Sequence, residues 1–468
     1  MSGAAGELDF ERAQAILPRY EGPGPRYTSY PTAPVWTEAF GAADFLAELA
    51  RADASAEEPI ALYAHVPFCA SLCHFCACNR IITRDAALPE SYLDVIAREI
   101  AFVREQLAVP RRASQLHWGG GTPTHLAPAQ IRRLFHAMVD AFPLRSGAEV
   151  SIEVDPRVTT EAQIETLREL GFTRISMGVQ DFDPRVQEAI HRVQPVAQTA
   201  RLVELARRAG FESVNFDLIY GLPFQREESF GRTLDAVRAI GPDRIALYSY
   251  AHVTWVAKQQ RGFERKDLPD ARTKLGLLLL GIRRLTEAGY AFIGMDHFAR
   301  PEDELSRALR ERTLRRNFMG YTTQAGVELL GFGPSAISQL RDAYAQSARE
   351  LAAWSDAVRT RGVATIRGHR LGAEDQRRRF VIERILCHGA VDPAEVDAAF
   401  GGSFARDFAG ELARLEPLEI DGLVTRERDG RLGVTPLGRL LVRNVAMVFD
   451  AYLPEQQRSG RARFSKAV

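Results

Sequence analysis

Between Tyr63 and Asn79 the chain reads Tyr-Ala-His-Val-Pro-Phe-Cys-Ala-Ser-Leu-Cys-His-Phe-Cys-Ala-Cys-Asn, which contains four of the five cysteines. Cys69, Cys73 and Cys76 follow a Cys-x3-Cys-x2-Cys spacing, and Cys78 comes one residue later. Three thiolates on one short loop can hold three corners of a cubic iron–sulfur cluster, leaving the fourth iron open to a small molecule. The competing chemistry is structural zinc, which takes four ligands, commonly as two paired knuckles. The sequence has no second pair, so zinc would need Cys78 or His74 as its fourth ligand, and the spacing favours the cluster. Pro67, Phe68 and Phe75 are apolar neighbours of the kind that shield a cluster and tune its potential. Cys387 lies in Val-Ile-Glu-Arg-Ile-Leu-Cys-His, a helical apolar pattern, and reads as a buried structural thiol.

Two further features have ligand chemistry. Gly119-Gly120-Gly121-Thr122 permits close backbone approach, with free N–H and C=O groups for the ammonium and carboxylate of an amino acid. It is not a phosphate loop, because no Gly-Lys-Ser/Thr follows. Glu153 is an acid suited to accept two ribose hydroxyls, as the acidic residue of dinucleotide folds does; otherwise it is an ordinary salt-bridged acid.

The elements that must position these residues form a rhythm. Strands are expected at Ile60–Val66, Gln115–Trp118, Glu149–Val154, Arg174–Val179, Ser213–Ile219 and Arg244–Tyr248, with a further candidate at Ala291–Met295. Helices are expected at Glu90–Leu107, Ala127–Ala141, Thr160–Leu170, Ala197–Ala209, Glu228–Ile240 and Ala271–Ala288. Such alternation predicts a parallel sheet flanked by helices, a partial or full βα barrel whose strands are apolar enough for burial on both faces. Barrels gather ligands at the C-terminal ends of their strands. The cysteines, the glycine run, Glu153 with Asp155, Gln180-Asp181, Asp217–Pro223 and Tyr250–His252 fall at six such ends in succession.

The remaining segments are less regular. Gly22–Pro34 is rich in Pro, Gly and Tyr; its composition favours a linker over an arm that offers Arg26, Tyr27 and Tyr30 to a ligand. After residue 340, helices are expected at Ala343–Arg361, Asp375–Cys387, Pro393–Phe400 and Phe404–Leu415. An Asp429-Gly430 hairpin between Leu423 and Val434 and a helix Pro436–Asp450 complete a winged-helix-like module. Nothing outside the wing suggests a basic recognition face, so a lid or packing domain is expected and no nucleic-acid partner.

Composition sets outer limits. The chain has 468 residues, 46% hydrophobic and 26% charged, with a formal net charge of +0. These values describe an ordinary globular chain of more than one domain, with no overall electrostatic pull toward nucleic acid or anionic membrane. Met1–Asp9 has neither a basic nor an apolar region, and the apolar run Leu275–Leu280 is far shorter than a membrane span. A cytoplasmic protein is expected.

Taken together, these blocks resemble radical S-adenosylmethionine enzymes, and within them the family of oxygen-independent coproporphyrinogen III oxidases. The resemblance rests on Pro25-Arg-Tyr-Thr-Ser-Tyr-Pro31, the cysteine loop through Cys78, His117-Trp-Gly-Gly-Gly-Thr-Pro-Thr124 and Ser151-Ile-Glu-Val-Asp-Pro156. It continues through Ser176–Phe182, Asp217–Pro223, Gly294–Pro301, Asn317–Gln324 and Gly333–Ser338. The fold it implies is an incomplete (βα)6-type, TIM-like α/β barrel at 60–340, with an N-terminal arm at 1–59 and a mainly helical domain at 341–468. The cofactors it implies are a [4Fe-4S] cluster on Cys69, Cys73 and Cys76 and two S-adenosylmethionine molecules. Contacts to the first fall on Tyr63, Gly120, Glu153, Ala251 and Ile337. Those to the second fall on Phe75, Gly121, Thr122, Gln180, Arg192 and Asp217. Cys78 and Tyr63 are the candidate catalytic residues. The implied reaction uses a 5′-deoxyadenosyl radical to convert two propionates of coproporphyrinogen III to vinyl groups, giving protoporphyrinogen IX in haem biosynthesis, with an electron donor and acceptor still to be named and a monomer expected. Arg26, Arg300 and Arg316 are candidates to pair with the substrate carboxylates. Haem-binding chaperones of the same superfamily are the alternative; they lack the fourth cysteine and the long arm, both present here.

Overall fold

The computed structural model describes residues 8–52, 58–109, 111–254, 257–324 and 326–453. The expected arm and C-terminal domain are therefore described in part, and Met1–Glu7 lie outside these residues. Six parallel strands run side by side: β1 (Ile60–Val66), β2 (Ala113–Gly120), β3 (Leu144–Val154), β4 (Arg174–Gln180), β5 (Ser213–Tyr220) and β6 (Arg244–Ser249). Helices Ala87–Glu105, Pro128–Ala141, Glu161–Glu169, Val196–Ala209, Glu227–Ile240 and Ala271–Glu287 follow them in turn. Local chemistry sets several of their ends. Thr160 caps the third helix through its hydroxyl, and Gly210 and Gly241 close the fourth and fifth in the left-handed conformation that glycine adopts without strain.

The barrel does not close. On one side Glu328–Phe332 adds a seventh parallel strand against β1, followed by antiparallel Ile337–Leu340, Ala343–Ser347 and Thr365–Arg370. On the other, His297–Ala299 pairs antiparallel to β6, with Ala291–Gly294 outside it. The candidate at Ala291–Met295 is thus half of an edge hairpin, not a further parallel strand. The helix expected over Ala343–Arg361 begins as strand Ala343–Ser347 and turns helical only at Leu351–Arg361, because Tyr344 and its neighbours pair with Gly368 and the flanking residues. The sheet therefore continues past residue 340, to Arg370.

The strands also differ from the double-sided apolar reading. Val150, Ile152 and Val154 of β3, and Val214, Phe216 and Leu218 of β5, are buried against the helices. The intervening Glu149, Ser151, Glu153, Ser213, Asn215 and Asp217 line a polar lumen. The period of two puts one apolar and one polar face on each strand.

A second core joins helix Ala373–His388 and the segments up to Phe449 to Ala13, Ile16, Tyr27 and Tyr30 near the N-terminus and to Leu275, Leu279 and Ile293 of the barrel. The Pro- and Tyr-rich segment is therefore a packed arm and not a linker. The Tyr27 hydroxyl donates to Asp450 Oδ2 (2.9 Å), the Ala451 N–H donates to the Tyr30 hydroxyl (3.1 Å), and Arg443 Nε donates to Pro25 O (2.9 Å). A small three-stranded sheet of Ala390–Val391, Leu432–Val434 and Val424–Arg426 forms the wing.

Candidate active site

The loop after β1 folds back over the ends of β1 and β2. Gly121 makes this possible: a Cβ there would sit 2.6 Å from Pro67 O and 2.7 Å from Phe68 O. Its N–H donates to Val66 O (2.9 Å) and that of Thr122 to Phe68 O (2.8 Å), so the glycine run and the cysteine loop are held as one unit. The glycines thus serve packing first. Gly120, at φ 118°, faces the His65 ring, and a Cβ on Gly119 would meet the Glu153 carboxyl at 2.9 Å.

Cys69, Cys73, Cys76 and Cys78 are free thiols and all line one cavity of about 300 Å³. The same cavity is walled by Phe75, Gly120, Gly121, Thr122, Glu153, Gln180, Arg192 and Asp217. Of the expected contacts, Tyr63, Ala251 and Ile337 stand outside this wall. Tyr63 pairs in register with Gly331, where an added Cβ would meet the Ile337 backbone, and the Tyr63 hydroxyl lies 3.1 Å from His65 Nδ1. Ala251 O accepts from Gln260 Nε2 (3.0 Å), which also binds Phe75 O (2.9 Å) and so ties the loop after β6 to the cysteine loop.

The electrostatics are uneven. A hydrogen bond from Cys78 is the largest influence on Cys76, whose thiol is held down to about 6. Burial pushes Glu153 up, but His117 (Nε2 to Oε1 3.6 Å) and the Gly120 N–H (3.2 Å to Oε2) outweigh it and keep the carboxyl below its usual range. Asp217 goes the other way. Burial, then the Glu153 charge, raise it to about 7, although it accepts from Ser176 Oγ (3.1 Å) and Asn215 Nδ2 (3.0 Å). Two guanidinium groups reach Cys73: Arg157 Nη2 lies 3.5 Å and Arg192 Nη1 3.6 Å from its Sγ, and Asp155 Oδ2 accepts from both, at 2.7 and 3.1 Å. Arg157 and Tyr248 are also on the wall and are not among the expected site residues; Arg157 directly follows the Ser151–Pro156 block.

The three substrate-arginine candidates separate. Arg26 binds Asp296 and lies 5.1 Å over the Tyr248 ring, so the arm reaches the cavity's inner edge. Arg316 lies on the hairpin Arg315–Asn317/Gly320–Thr322. Arg300 stacks on Tyr290 (4.2 Å) and its N–H donates to Asp243 O, just before the start of β6, away from the cysteines.

The thiols suit a cluster in their chemistry. They are free, they share one cavity, and one of them receives N–H donors of the kind thiolate sulfur accepts.

Comparison with known proteins sharpens this. Residues 63–237 match the Radical SAM superfamily model and residues 371–441 the HemN C-terminal domain model. The oxygen-independent coproporphyrinogen III oxidase of Salmonella typhimurium is 47% identical over 97% of this chain and 98% of its own length. That of Synechocystis is 43% identical over 98% of each. A solved structure described as coproporphyrinogen III oxidase (HemN) from Escherichia coli, a radical SAM enzyme, superposes with a TM-score of 0.88 at 46% identity, covering 91% of this chain and 97% of that one. Similarity of this extent places the chain in the oxygen-independent coproporphyrinogen III oxidase family of the radical SAM superfamily.

Proposed function

We propose that this protein decarboxylates two propionates of coproporphyrinogen III oxidatively and without oxygen, yielding the vinyl groups of protoporphyrinogen IX and two molecules of carbon dioxide. The observation that carries this reading is the meeting of three cluster-type thiols, the glycine run, Glu153 and Asp217 at one cavity, in a chain similar nearly end to end to enzymes of that name.

Cys69, Cys73 and Cys76 are the residues that would hold the [4Fe-4S] cluster. When bound and reduced, the cluster supplies the electron that cleaves the sulfonium of S-adenosylmethionine and so the radical that takes hydrogen from a propionate. The chain's own residues bind and shield. Glu153, kept ionised, is suited to accept ribose hydroxyls, and the Gly120 and Gly121 backbone to meet an amino-acid group. We assign Gly120 and Glu153 to a first S-adenosylmethionine, with Tyr63, Ala251 and Ile337 flanking it where the ligand passes the cavity wall. Phe75, Gly121, Thr122, Gln180, Arg192 and Asp217 are assigned to a second. Asp217 is placed to face a cation, and the Arg192 guanidinium a carboxylate. The arm, with Arg26 over Tyr248, closes the open side of the barrel and limits water around a reactive species. Cys78 is read as a catalytic thiol that is not a cluster ligand. An electron donor and an acceptor are required, because one electron must leave each substrate radical.

The test is anaerobic incubation of the reconstituted protein with reductant, S-adenosylmethionine and coproporphyrinogen III. Protoporphyrinogen IX is the expected product. Stoichiometric haem binding without turnover would instead make the chain a chaperone.

A further inference from the structure

In the reaction proposed above, each cleavage of S-adenosylmethionine consumes one electron, so the cluster must be recharged from outside the chain. The inside of the barrel offers no entry. The cysteine cavity is taken up by cofactors and substrate, and it continues into a lumen of about 150 Å³ through Glu153, Ser176, Asp217 and Tyr248, which line both. Beyond the lumen a distal cavity of about 560 Å³ shares Asn317 and Thr322 with it. That cavity lies at the opposite end of the strands, since Glu328 in its wall pairs with Ile60 at the start of β1. An electron delivered there would start the length of a strand away from the thiols. The outer side of the cysteine loop is the shorter way in.

One segment joins that side to the surface. Ile81–Ile82 pairs parallel with Phe68–Cys69, with Ile82 opposite Cys69. The Thr83 N–H donates to Cys69 O (3.1 Å) and the Ile81 N–H to Pro67 O (2.7 Å), so one backbone hydrogen bond separates the segment from a cluster-type thiol's residue. Burial alternates along it: Ile81 and Thr83 are half-buried, Ile82 is 43% exposed and Arg84 is exposed. A single exposed isoleucine is unremarkable by itself. The charges around this one are not. Arg80 donates from Nη1 to Cys78 O (2.9 Å), and Asn79 Nδ2 donates to Arg349 O (3.0 Å), which brings a further exposed arginine alongside. Arg367 stands near enough that burial and then the Arg349 charge hold its guanidinium down. Among the described residues, Arg80, Arg84, Arg349 and Arg367 form no ion pair, although arginines elsewhere in the chain are widely paired. The acids nearby do not neutralise them: Asp85 accepts the Ala87 N–H, Glu350 precedes helix Leu351–Arg361, and Glu38 acts on Arg367 only at range. In a chain of formal net charge +0, such a local surplus favours an anionic partner at this place and no other.

We propose that Ile82 with Arg80, Arg84 and Arg349 is the docking surface of an acidic one-electron carrier protein, a low-potential flavoprotein or ferredoxin, which recharges the cluster through the Cys69 side. The assignment rests on the reaction proposed above and adds where its electrons enter. In each encounter the carrier loses one electron, the oxidised cluster gains it, and no bond forms or breaks. Carboxylates around the carrier's redox group face the guanidiniums and steer the encounter. Ile82 supplies the apolar contact that seats it. The pairing of Ile81–Ile82 with Phe68–Cys69 keeps the route to a ligand sulfur short, which matters because electron transfer slows steeply with distance.

The experiment uses cluster-loaded full-length protein under anaerobic conditions, with a bacterial flavodoxin and a bacterial ferredoxin as probes. Stopped-flow absorbance follows cluster reduction by each reduced carrier, and calorimetry measures binding of the oxidised flavodoxin. The double variant Arg84→Glu/Arg349→Glu is expected to slow reduction by the carriers and weaken flavodoxin binding, each by about tenfold at low salt. Reduction of the wild type should slow as ionic strength rises from about 10 mM to about 150 mM, and that of the variant should not. Photoreduced 5-deazariboflavin, a small neutral reductant, should reduce both proteins at one rate. Arg208→Glu, an equal reversal on the exposed helix Val196–Ala209, should change nothing. Arg84→Lys should keep the wild-type rate, and Arg84→Gln, with one charge removed, covers the case in which the double variant loses iron. Unchanged reduction by the carriers in Arg84→Gln and the double variant overturns the proposal. So does equal slowing with 5-deazariboflavin, which would mean that the changes disturb the cluster itself, and so does failure of both carriers to reduce the wild type. None of these measurements needs coproporphyrinogen. Carrier reduction that depends on these arginines, in a protein that does not turn coproporphyrinogen over, would overturn the reaction and leave the docking surface standing.

Discussion

At the cysteine end of the barrel, the working groups come from a short loop and from the ends of neighbouring strands. At the distal end they come from the arm near the N-terminus and, far along the chain, from the hairpin Arg315–Asn317/Gly320–Thr322, the strand Ile337–Leu340 and helix Ala373–His388. The two ends also differ in how their charges are satisfied. Near the cysteines, Asp155 is shared by Arg157 and Arg192, and Glu153 is held by His117 and Gly120. Arg80 and Arg192 at this end each leave Nε without a partner, but Nη1 of Arg80 donates to Cys78 O and Arg192 is bonded to Asp155 and Gly178. In the distal cavity Arg316 leaves both Nε and Nη1 unpartnered and stacks on Tyr321. The contrast is between a centre whose charges are tied into one network before any ligand arrives and a wall where one arginine is held by an aromatic face and not by a carboxylate.

The largest expected effect falls on the pre-assembled end. Replacing Cys69, Cys73 or Cys76 by Ala should abolish the iron–sulfur signal and turnover together, measured by iron and sulfide content, electron paramagnetic resonance and product formation. Cys78→Ser should separate the two, with the cluster retained and turnover lost; a drop in iron on that change would make Cys78 a ligand.

Legibility from sequence follows the same division. Cys69, Cys73 and Cys76 could be read because one loop carries them all, and the six parallel strands because apolar β-branched runs and helical stretches alternate with capping residues between them. The lumen was missed although its signal was present. Glu149, Ser151 and Glu153 alternate with Val150, Ile152 and Val154, a half-polar pattern that an interior polar face requires. Strand Ala343–Ser347 reads as helix in the sequence because Ala, Gln and Arg around it favour helix, and tertiary pairing with Thr365–Arg370 overrides that preference. Arg316 is named in the sequence only through the resemblance; that it shares a cavity wall with Gln339 and with Tyr27–Tyr30 of the arm has no local signal, because those segments meet only in the fold.

A second way to break the pre-assembled end is to disturb its backbone. Gly121→Ala places a methyl 2.6 Å from Pro67 O and 2.7 Å from Phe68 O, and neither is a flexible side chain that can move aside. The cysteine loop must shift, so reconstituted iron content should fall several-fold while the far-ultraviolet dichroism stays near wild type. Full iron loading would show that the loop tolerates displacement and is less preformed than its hydrogen bonds indicate.

A smaller effect tests how the centre receives a cation. Asp217 sits at about 7 in the free protein, raised by burial and by Glu153. Below that value it is mostly neutral, and a nearby sulfonium or ammonium gains nothing from it. Above it the carboxylate is present and attracts the ligand. S-adenosylmethionine affinity should therefore rise with pH through 7, to about tenfold tighter at pH 8 than at pH 6, and binding near pH 6.5 should release a proton. Titration calorimetry in buffers of different ionisation enthalpy measures both. Asp217→Asn should flatten the profile, and a profile that stays steep in that variant would place the titrating group elsewhere.

The smallest expected effect concerns how the protein biases an electron toward the thiol end. Arg157 Nη2 lies 3.5 Å from Cys73 Sγ, and the same side chain is locked by three contacts to Asp155. An N–H donor on a ligand sulfur stabilises the more electron-rich state of a cluster, and a cation does so further. Arg157→Gln removes the charge and weakens the donor, so the midpoint potential should become more negative by about 59 mV, a tenfold change in a one-electron equilibrium. Asp155→Asn removes the opposing charge and should move it the other way, whereas Arg157→Lys should recover part of the loss. Redox titration followed by electron paramagnetic resonance reads the potential directly, independently of turnover. Shifts of one sign in both Arg157→Gln and Asp155→Asn would mean that the network only holds the loop in place, and the asymmetry between the two ends of the barrel would then be one of shape and not of charge.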